Sequence, residues 1–267
     1  MPLVIGYFGC IHKKHQALLT KYKKFNILTF NEIPRKSIDS LYGFEQRIEN
    51  LVKYKPKKVY VYDLNVNMTS SEFINSVLLK LAPSIIIVGS DFKFGSDFSN
   101  IEQLKKYFKV NIEPYDEKYS TNQIKQLIKQ GLINQVNELL DSNFYIESKW
   151  VSGMQLGRKI GFPTINTLYP NTIVRIKDGS YQTKIIIGKR TYDSITFVGS
   201  KKSVGENNQF ILETYVINKT LKERIDYSIS IQDHIKVIFY KYIRPNTKFD
   251  SLEQLKKAIL NDVESIK

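Results

Sequence analysis

The chain has 267 residues, which is about twice the length of a common domain, so two domains are expected. Hydrophobic residues make up 42% of the chain and charged residues 25%, which excludes a disordered or fibrous protein. There are 40 Lys and Arg against 26 Asp and Glu, for a formal net charge of +14. These basic residues are scattered in ones and twos, which favours solvent and phosphate-bearing small molecules over nucleic acid as their partners.

The sequence contains no run of about 18 uncharged apolar residues, so no membrane span is predicted. The N-terminal residues lack the basic region of a secretory signal, and the single cysteine, Cys10, excludes an internal disulfide. We therefore expect a cytoplasmic protein in a reducing compartment.

The first half alternates short apolar runs with amphipathic segments. The runs, rich in β-branched and aromatic residues, span residues 3–8, 25–30, 58–62 and 84–88. They predict strands covered on both faces, while residues 44–52 have helical spacing and capping boxes at 69–72 and 99–102 predict helix starts. This alternation predicts a parallel sheet. Its ligands are expected beyond the carboxyl ends of the strands, in the loops after Phe8 and Val88.

After Phe144 the strand-like runs follow one another with short turns between them. These runs span residues 180–187, 191–198, 210–217 and 234–242. Such a succession predicts a small antiparallel β-barrel, which is followed by a helix with a capping box at 251–254. The expected domains are therefore residues 1–142 and 143–267.

Three segments of the first half carry candidate binding residues. His12 and His15 follow the first predicted strand, where a helix N-terminus favours phosphate and the pair can stabilise charge on an α-phosphate. A metal site would need a third ligand, and a chance H-x-x-H is the alternative. The other candidates are Gly89 and Asp91 in a glycine-bounded loop, and Ser120, Thr121 and Lys125 at a helix start. An ordinary turn and a helix cap are their structural alternatives.

The second half contains a G-R-K-I-G-F-P-T-I-N segment at residues 157–166. Its glycines permit a close approach of the backbone to a ligand, and the oxygens of Thr164 and Asn166 can ligate a hard cation and orient a triphosphate. Glu213 lies on a predicted strand, with Tyr215 on the same face. The Glu213 carboxylate is either a solvent-facing group or a base for a substrate hydroxyl.

In this order, the motifs resemble the bifunctional riboflavin kinase/FAD synthetase family of bacteria. The family's G-R-x-x-G-x-P-T-x-N element is complete, Glu213 matches its catalytic glutamate, and residues 243–249 match its I-R-P-x-x-K-F segment. Its G-N-F-D-G-x-H-x-G-H motif keeps both histidines here but loses the Asn, the Asp and two glycines, with Tyr7 in place of the Asn. The family's S-S-T-x-I-R ends here in Lys125, which keeps the charge but loses the guanidinium fork.

The resemblance implies an α/β Rossmann-like nucleotidyltransferase domain followed by a mainly antiparallel β-barrel riboflavin kinase domain with a C-terminal helix. It implies phosphorylation of riboflavin to FMN by ATP with Mg²⁺, and adenylylation of FMN to FAD. The implied catalytic residues are Glu213, His12 and His15, the flavin-binding residue is Arg244, and the metal ligands are Thr164 and Asn166. The implied ATP-binding residues are Gly157, Arg158, Gly161, Pro163, Thr164, Asn166, Gly89, Asp91, Ser120, Thr121 and Lys125.

Two alternatives stay open at this point. The departures in the first half allow a riboflavin kinase whose degenerate N-terminal domain is only a scaffold. A basic RNA-binding protein on a nucleotidyltransferase-like scaffold is the alternative from another class, and its binding would weaken steeply with salt and ignore riboflavin.

Overall fold

The structure is a computed structural model, and it describes residues 1–32, 40–63, 65, 67–114, 116–151, 161–201, 209–217 and 234–266. The chain separates into two compact units, Met1–Gln123 and Ile124–Lys267. The predicted domain boundary between residues 142 and 143 falls within the second unit and stays a prediction. Among the described residues, no helix is both long and apolar enough to cross a membrane.

A parallel sheet forms the centre of the first unit, as predicted, and it contains a fifth strand in addition to the four predicted ones. Its strands are β1 (Pro2–Ile5), β2 (Asn26–Phe30), β3 (Lys58–Tyr62), β4 (Ile85–Gly89) and β5 (Val110–Glu113). The spatial order is β3-β2-β1-β4-β5, so the chain reverses its direction of growth between β1 and β4. In such sheets the crevice for a ligand opens at this reversal, beyond the carboxyl ends of the strands.

Both faces of this sheet are covered by apolar side chains, which explains the nearly continuous apolar strands. Leu3 and Ile5 of β1 pack in one core cluster, and Val4 packs in the other. The first strand is shorter than predicted, because it ends at Ile5 and the chain then turns through Phe8, whose φ of 51° is left-handed.

Helices and helical turns connect the strands of the first unit. They are α1 (Lys13–Thr20), α2 (Phe44–Val52), α3 (Ser70–Phe73), a π-helical turn (Ile74–Leu78), α4 (Leu79–Leu81) and α5 (Ile101–Lys105). After β5 follow a 3₁₀ turn (Glu117–Tyr119) and α6 (Thr121–Gln130), whose residues from Ile124 belong to the second unit. The predicted capping box at the start of α3 is confirmed, because Thr69 and Glu72 each bond the other's backbone N–H. The one predicted at 99–102 is wrong: Asn100 caps α5, and the Ser99 hydroxyl bonds Asp97 instead.

The second unit contains the predicted antiparallel barrel. Its strands are β6 (Tyr145–Val151), β7 (Thr164–Leu168), β8 (Gly179–Ile187), β9 (Arg190–Lys201), β10 (Gln209–Val216) and β11 (His234–Arg244), closed in the order β10-β7-β6-β11-β8-β9. Helix α7 (Ile133–Leu139) packs on the barrel through Asn137, whose side chain bonds the backbone of Phe144 and Phe239. The sequence patterns did not predict β6 and β7.

The predicted C-terminal helix is α8 (Leu252–Glu264), and its cap differs in part from the prediction. The Ser251 hydroxyl accepts the N–H of Gln254 at 3.2 Å, as a capping box requires. The return bond is missing, because the Gln254 side chain accepts the N–H of Asp250 at 3.0 Å.

A row of buried hydroxyl groups crosses three strands inside the barrel. The Oγ1 atom of Thr183 lies 2.8 Å from the hydroxyl oxygens of both Ser194 and Thr196, and Thr196 lies 2.9 Å from Thr214. We call these four residues the hydroxyl ladder. Since Thr214 points into the barrel and successive side chains of a strand alternate, Glu213 points outwards.

Candidate functional site

The two predicted histidines lie together at the start of α1. The His12 side chain caps this helix, with its Nδ1 atom 3.3 Å from the backbone nitrogen of His15, and the two imidazole rings stack with their centroids 3.7 Å apart. The Nδ1 atom of His15 lies 3.1 Å from the carbonyl oxygen of Cys10. The loop after β1 therefore holds both rings in place through backbone atoms.

These backbone bonds give the two neutral rings different tautomers. Because Nδ1 of His12 accepts an N–H, the proton of neutral His12 is on Nε2, which can donate to a ligand oxygen. The Cys10 carbonyl can only accept, so the His15 proton is on Nδ1 and its Nε2 donates only after protonation.

Burial keeps both rings neutral near pH 7. It lowers the pKa of His12 to about 3, with a smaller contribution from the neighbouring His15. Burial also lowers the pKa of His15 to about 4, against the opposing effects of the Cys10 carbonyl and the Asp91 carboxylate. An anionic phosphate beside these stacked rings would raise both pKa values, because an opposite charge favours the protonated form.

Other predicted nucleotide residues lie in the same region of the first unit. Asp91 follows β4 and acts electrostatically on His15, and Gly89 directly precedes this turn at the end of β4. The Oγ1 atom of Thr121 lies 3.8 Å from the Sγ atom of Cys10, which places the start of α6 beside the histidine loop. The structure thus brings together the loops after β1 and β4, as the sheet topology requires.

The hydroxyl-rich start of α6 has a structural role in this structure. The Ser120 hydroxyl accepts the N–H of Gln123 at 3.1 Å and so caps the helix. Lys125 lies one helical turn beyond Thr121 and is half-buried. Of the predicted group, Thr121 is the residue whose contact to the histidine loop is observed.

Tyr7 and Gly9, two departures from the family motif, compensate each other. A Cβ atom at Gly9 would lie 3.3 Å from the Tyr7 ring, so the ring fills the space where the family carries an Asp side chain. The guanidinium carbon of Arg47 also lies over the Tyr7 ring, 3.9 Å from its centroid. The Tyr7 ring is therefore packed within the domain.

Arg47, which contacts Tyr7, was not predicted from the sequence as part of this region. This residue is only 2% exposed, and its guanidinium donates a hydrogen bond to the carbonyl of Phe30 at the end of β2. Burial lowers its pKa. A signal was present in the sequence, because Arg47 follows Phe44 by three positions and falls on the apolar stripe of the predicted helix.

The predicted kinase residues lie side by side on the outside of the barrel. In the antiparallel pairing of β7 and β10, Asn166 is directly opposite Glu213, and Thr164 is directly opposite Tyr215. Directly opposite residues have Cβ atoms about 5 Å apart on one face of a sheet. We call these four residues the outer β7–β10 face. The alternating residues, Ile165 among them, point into the barrel.

The outer β7–β10 face offers oxygen atoms suited to a hard cation. Asn166 is 6% exposed, and its Oδ1 atom has no hydrogen-bond partner among the described residues. An unpaired buried carbonyl oxygen is costly unless a ligand or ion meets it. With the Thr164 hydroxyl two residues away on the same face, these atoms fit the oxygen ligands that Mg²⁺ prefers.

The remaining predicted residues of the second half divide into three cases. Gly157 and Arg158 lie outside the described residues. Gly161 has a φ of 87°, which suits glycine, and Pro163 leads directly into β7. Arg244, at the end of β11, donates from Nε to the buried carboxylate of Asp262 at 2.8 Å, so in this structure it joins the barrel to α8.

Two family models together cover most of the chain. The model described as FAD synthetase matches residues 1–131, and the model described as riboflavin kinase matches residues 140–267. A bifunctional riboflavin kinase/FMN adenylyltransferase of Mycoplasma pneumoniae is 30% identical over 267 residues, covering 98% of this chain and 94% of that protein. The chain belongs to the bifunctional riboflavin kinase/FMN adenylyltransferase family.

Other similar proteins agree with the fold and the two domains of this flavin enzyme. The trifunctional protein RibF/MnmA of Mycoplasmoides gallisepticum is 38% identical over 265 residues, which are 98% of this chain and 39% of that protein. A crystal structure named macrolide-efflux protein from Streptococcus pneumoniae has a TM-score of 0.83 and 28% identity, and the match covers 98% of this chain and 92% of that one.

The family assignment confirms the prediction of both flavin activities. The enzyme phosphorylates riboflavin to FMN and adenylylates FMN to FAD, with the FAD synthetase domain first and the riboflavin kinase domain second. The divergent histidine motif thus lies within a domain that still matches its family over residues 1–131.

Proposed function

We propose that the two reactions occur at two separate clusters of side chains. Adenylyl transfer takes place at His12 and His15 beyond β1, with Gly89, Asp91 and Thr121 around the nucleotide. Riboflavin phosphorylation takes place at the outer β7–β10 face. The observation that carries the proposal is the pairing of Asn166 with Glu213, since it joins a metal-type ligand and a base from distant parts of the sequence.

In the kinase reaction, Glu213 is the base. Its carboxylate accepts the proton of the ribityl 5′-hydroxyl as that oxygen attacks the γ-phosphorus of ATP, and ADP leaves. Phosphoryl transfer depends mainly on positioning and electrostatics, so one base and a set of oxygen ligands are sufficient protein groups. Arg244 would contact the flavin only after its bond to Asp262 is exchanged, and it is proposed as a flavin-binding residue on the family resemblance alone.

In the adenylyltransferase reaction, a phosphate oxygen of FMN attacks the α-phosphorus of ATP, and pyrophosphate leaves. Neutral His12 donates a hydrogen bond from Nε2 to an oxygen of the α-phosphate, where negative charge grows in the transition state. His15 contributes a second donor once the bound triphosphate raises its pKa. Thr121 and Lys125 are four residues apart on α6 and so lie on the same face of this helix. They are proposed to contact the remaining phosphates.

Mg²⁺ bound with ATP would be held at the kinase site by Thr164 and Asn166, and it would neutralise charge on the phosphate oxygens. Gly157, Arg158, Gly161 and Pro163 are proposed to bind ATP in the same segment. We place the enzyme in the cytoplasm, with riboflavin, FMN and ATP as its partners and without a nucleic-acid ligand.

The test is an incubation of the full chain with riboflavin and ATP, followed by chromatographic separation of the flavins. With Mg²⁺ present, FMN is expected first and FAD later. With excess EDTA neither product is expected. Accumulation of FMN without any FAD under Mg²⁺ would contradict the proposed adenylyl-transfer site, and FMN formation at full rate in EDTA would contradict the metal assignment.

A further inference from the structure

Tyr215 is the member of the outer β7–β10 face that has no role in the mechanism above. It lies directly opposite Thr164 in the strand pairing and two residues beyond Glu213 on β10. Two residues along a strand correspond to about 7 Å, so its side chain stands next to the proposed base and next to the proposed nucleotide ligand.

The Tyr215 ring is fixed by its neighbour. The rings of Phe162 and Tyr215 meet edge to face, with centroids 5.0 Å apart and an angle of 65° between their planes. Phe162 is itself buried and immediately precedes Pro163, so the contact ties the tyrosine to the segment that leads into β7. A ring held in this way presents its hydroxyl in one direction at little entropic cost.

The Tyr215 hydroxyl has no hydrogen-bond partner within the described part of the chain. Two other barrel tyrosines behave differently, because Tyr169 donates to the carbonyl of Val174 and Tyr181 donates to the carbonyl of Lys177. The hydroxyls of Tyr169 and Tyr181 therefore have a structural role, because they bond backbone atoms. Burial raises the pKa of Tyr215, so its hydroxyl stays protonated and remains a donor at neutral pH.

We propose that Tyr215 is an ATP-binding residue of the kinase site, whose hydroxyl donates a hydrogen bond to a phosphate oxygen of the nucleotide. Its position opposite Thr164 favours the phosphates over the flavin, because Thr164 is the oxygen ligand proposed to meet Mg-ATP. A hydroxyl that donates to an anionic oxygen makes a strong hydrogen bond. This inference rests on the proposed placement of the kinase site.

The test compares Tyr215→Phe with Tyr240→Phe in the full chain. Tyr215→Phe removes the hydroxyl and keeps the ring that packs on Phe162. Tyr240 is the matched control, because it lies on β11, which is three strands away from β10 around the closed barrel. Four quantities are measured: the kcat/KM for ATP in FMN formation, the KM for riboflavin, the rate of FAD formation from added FMN, and the midpoint of thermal unfolding.

For Tyr215→Phe, the kcat/KM for ATP is expected to fall about tenfold, as for one lost hydrogen bond to a charged group. The other three quantities should keep their wild-type values, and Tyr240→Phe should change none. An unchanged kcat/KM for ATP would overturn the inference, as would a change confined to the KM for riboflavin or a lower unfolding midpoint. Failure of the kinase-site placement is recognised separately, by a Glu213→Gln variant that forms FMN at the normal rate.

Discussion

The two units of this enzyme position their reactive groups by different physical means. In the first unit, His12 and His15 lie where the loop after β1 enters helix α1, and bonds to backbone atoms set their orientation. In the second unit, Asn166 and Glu213 lie on strands, and the pairing register together with side-chain alternation sets their orientation. A loop site can absorb paired substitutions such as Tyr7 with Gly9, because the Tyr7 ring occupies space beside the missing side chain of Gly9. A strand site depends on every residue that holds the register.

The largest effect is expected from Glu213→Gln, which tests the strand site. The change keeps shape and register but removes the base, so FMN formation should fall by roughly 10²–10⁴. FAD formation from added FMN should be unchanged, and both rates are measured by chromatography of the flavins. Glu138→Gln, at an exposed position of α7, is the matched control. Near-normal FMN formation by the Glu213 variant would exclude this carboxylate from the mechanism.

The loop site is tested by changing His12 and His15 together to Ala. Loss of transition-state donors typically costs about 10²–10³ in rate, so FAD formation from FMN should fall by at least this factor. FMN formation should continue, since its site is in the other domain. Gln16→Ala, at an exposed position of α1, should leave both rates unchanged. If the double variant still makes FAD at a rate close to wild type, adenylyl transfer does not depend on this pair.

A smaller effect is expected from Thr164→Val, and β7 provides its own control. Valine fills the same volume but offers no oxygen to a cation, so ATP affinity in the presence of Mg²⁺ should fall about tenfold. Thr167 lies on the same strand with its side chain buried, and its Oγ1 atom has no partner among the described residues. Thr167→Val should therefore leave ATP binding unchanged. Equal ATP affinity for both variants, measured by calorimetry, would refute the placement of Thr164 at the nucleotide.

A different kind of effect, on stability and not on rate or affinity, is expected at low pH, and it separates the two units. His12 and His15 have pKa values of about 3 and 4 in the folded protein, below the ordinary value of 6.5. Between the lowered and the ordinary pKa of each histidine, the unfolded chain therefore binds more protons than the folded chain. The unfolding free energy of the first unit should therefore fall as pH drops from 6.5 to 4, by up to about 1.4 kcal/mol per pH unit for each histidine.

Urea unfolding at several pH values measures this dependence. Circular dichroism follows both units, while the fluorescence of Trp150, the single tryptophan, reports the barrel. The double histidine variant should lose part of the pH dependence seen by circular dichroism and none of that seen by fluorescence. The same pH dependence in wild type and variant would show that these rings titrate normally in the folded protein.

The elements that were predicted well are those with a local pattern. Strand β3 (Lys58–Tyr62) and helix α2 (Phe44–Val52) match their predicted bounds, because continuous apolar runs and helical spacing are local properties. Strand β7 was missed, since Thr164–Leu168 is mixed in polarity and gains its partners only from distant strands. The cap at Asn100 was missed because Ser99 satisfies the same pattern but bonds Asp97.

The candidate sites divide in the same way. The motifs identified His12, His15 and Glu213, but no local pattern could indicate that Asn166 faces Glu213, since that pairing is a property of the closed barrel. The opposite tautomers of the two histidines could not be predicted from the sequence either, because each tautomer depends on which backbone atom is hydrogen-bonded to Nδ1.

The hydroxyl ladder inside the barrel bears on how faithfully the kinase domain assembles. If β10 slipped by one residue during folding, Thr214 would leave the barrel interior and Glu213 would enter it. Such a state would lose the bond between Thr214 and Thr196 and would bury a carboxylate inside the barrel, where removing its charge from water costs several kcal/mol. Mispaired barrels are thereby destabilised in two ways, so the hydroxyl ladder favours the chain pairing in which Glu213 lies opposite Asn166 on the outer β7–β10 face.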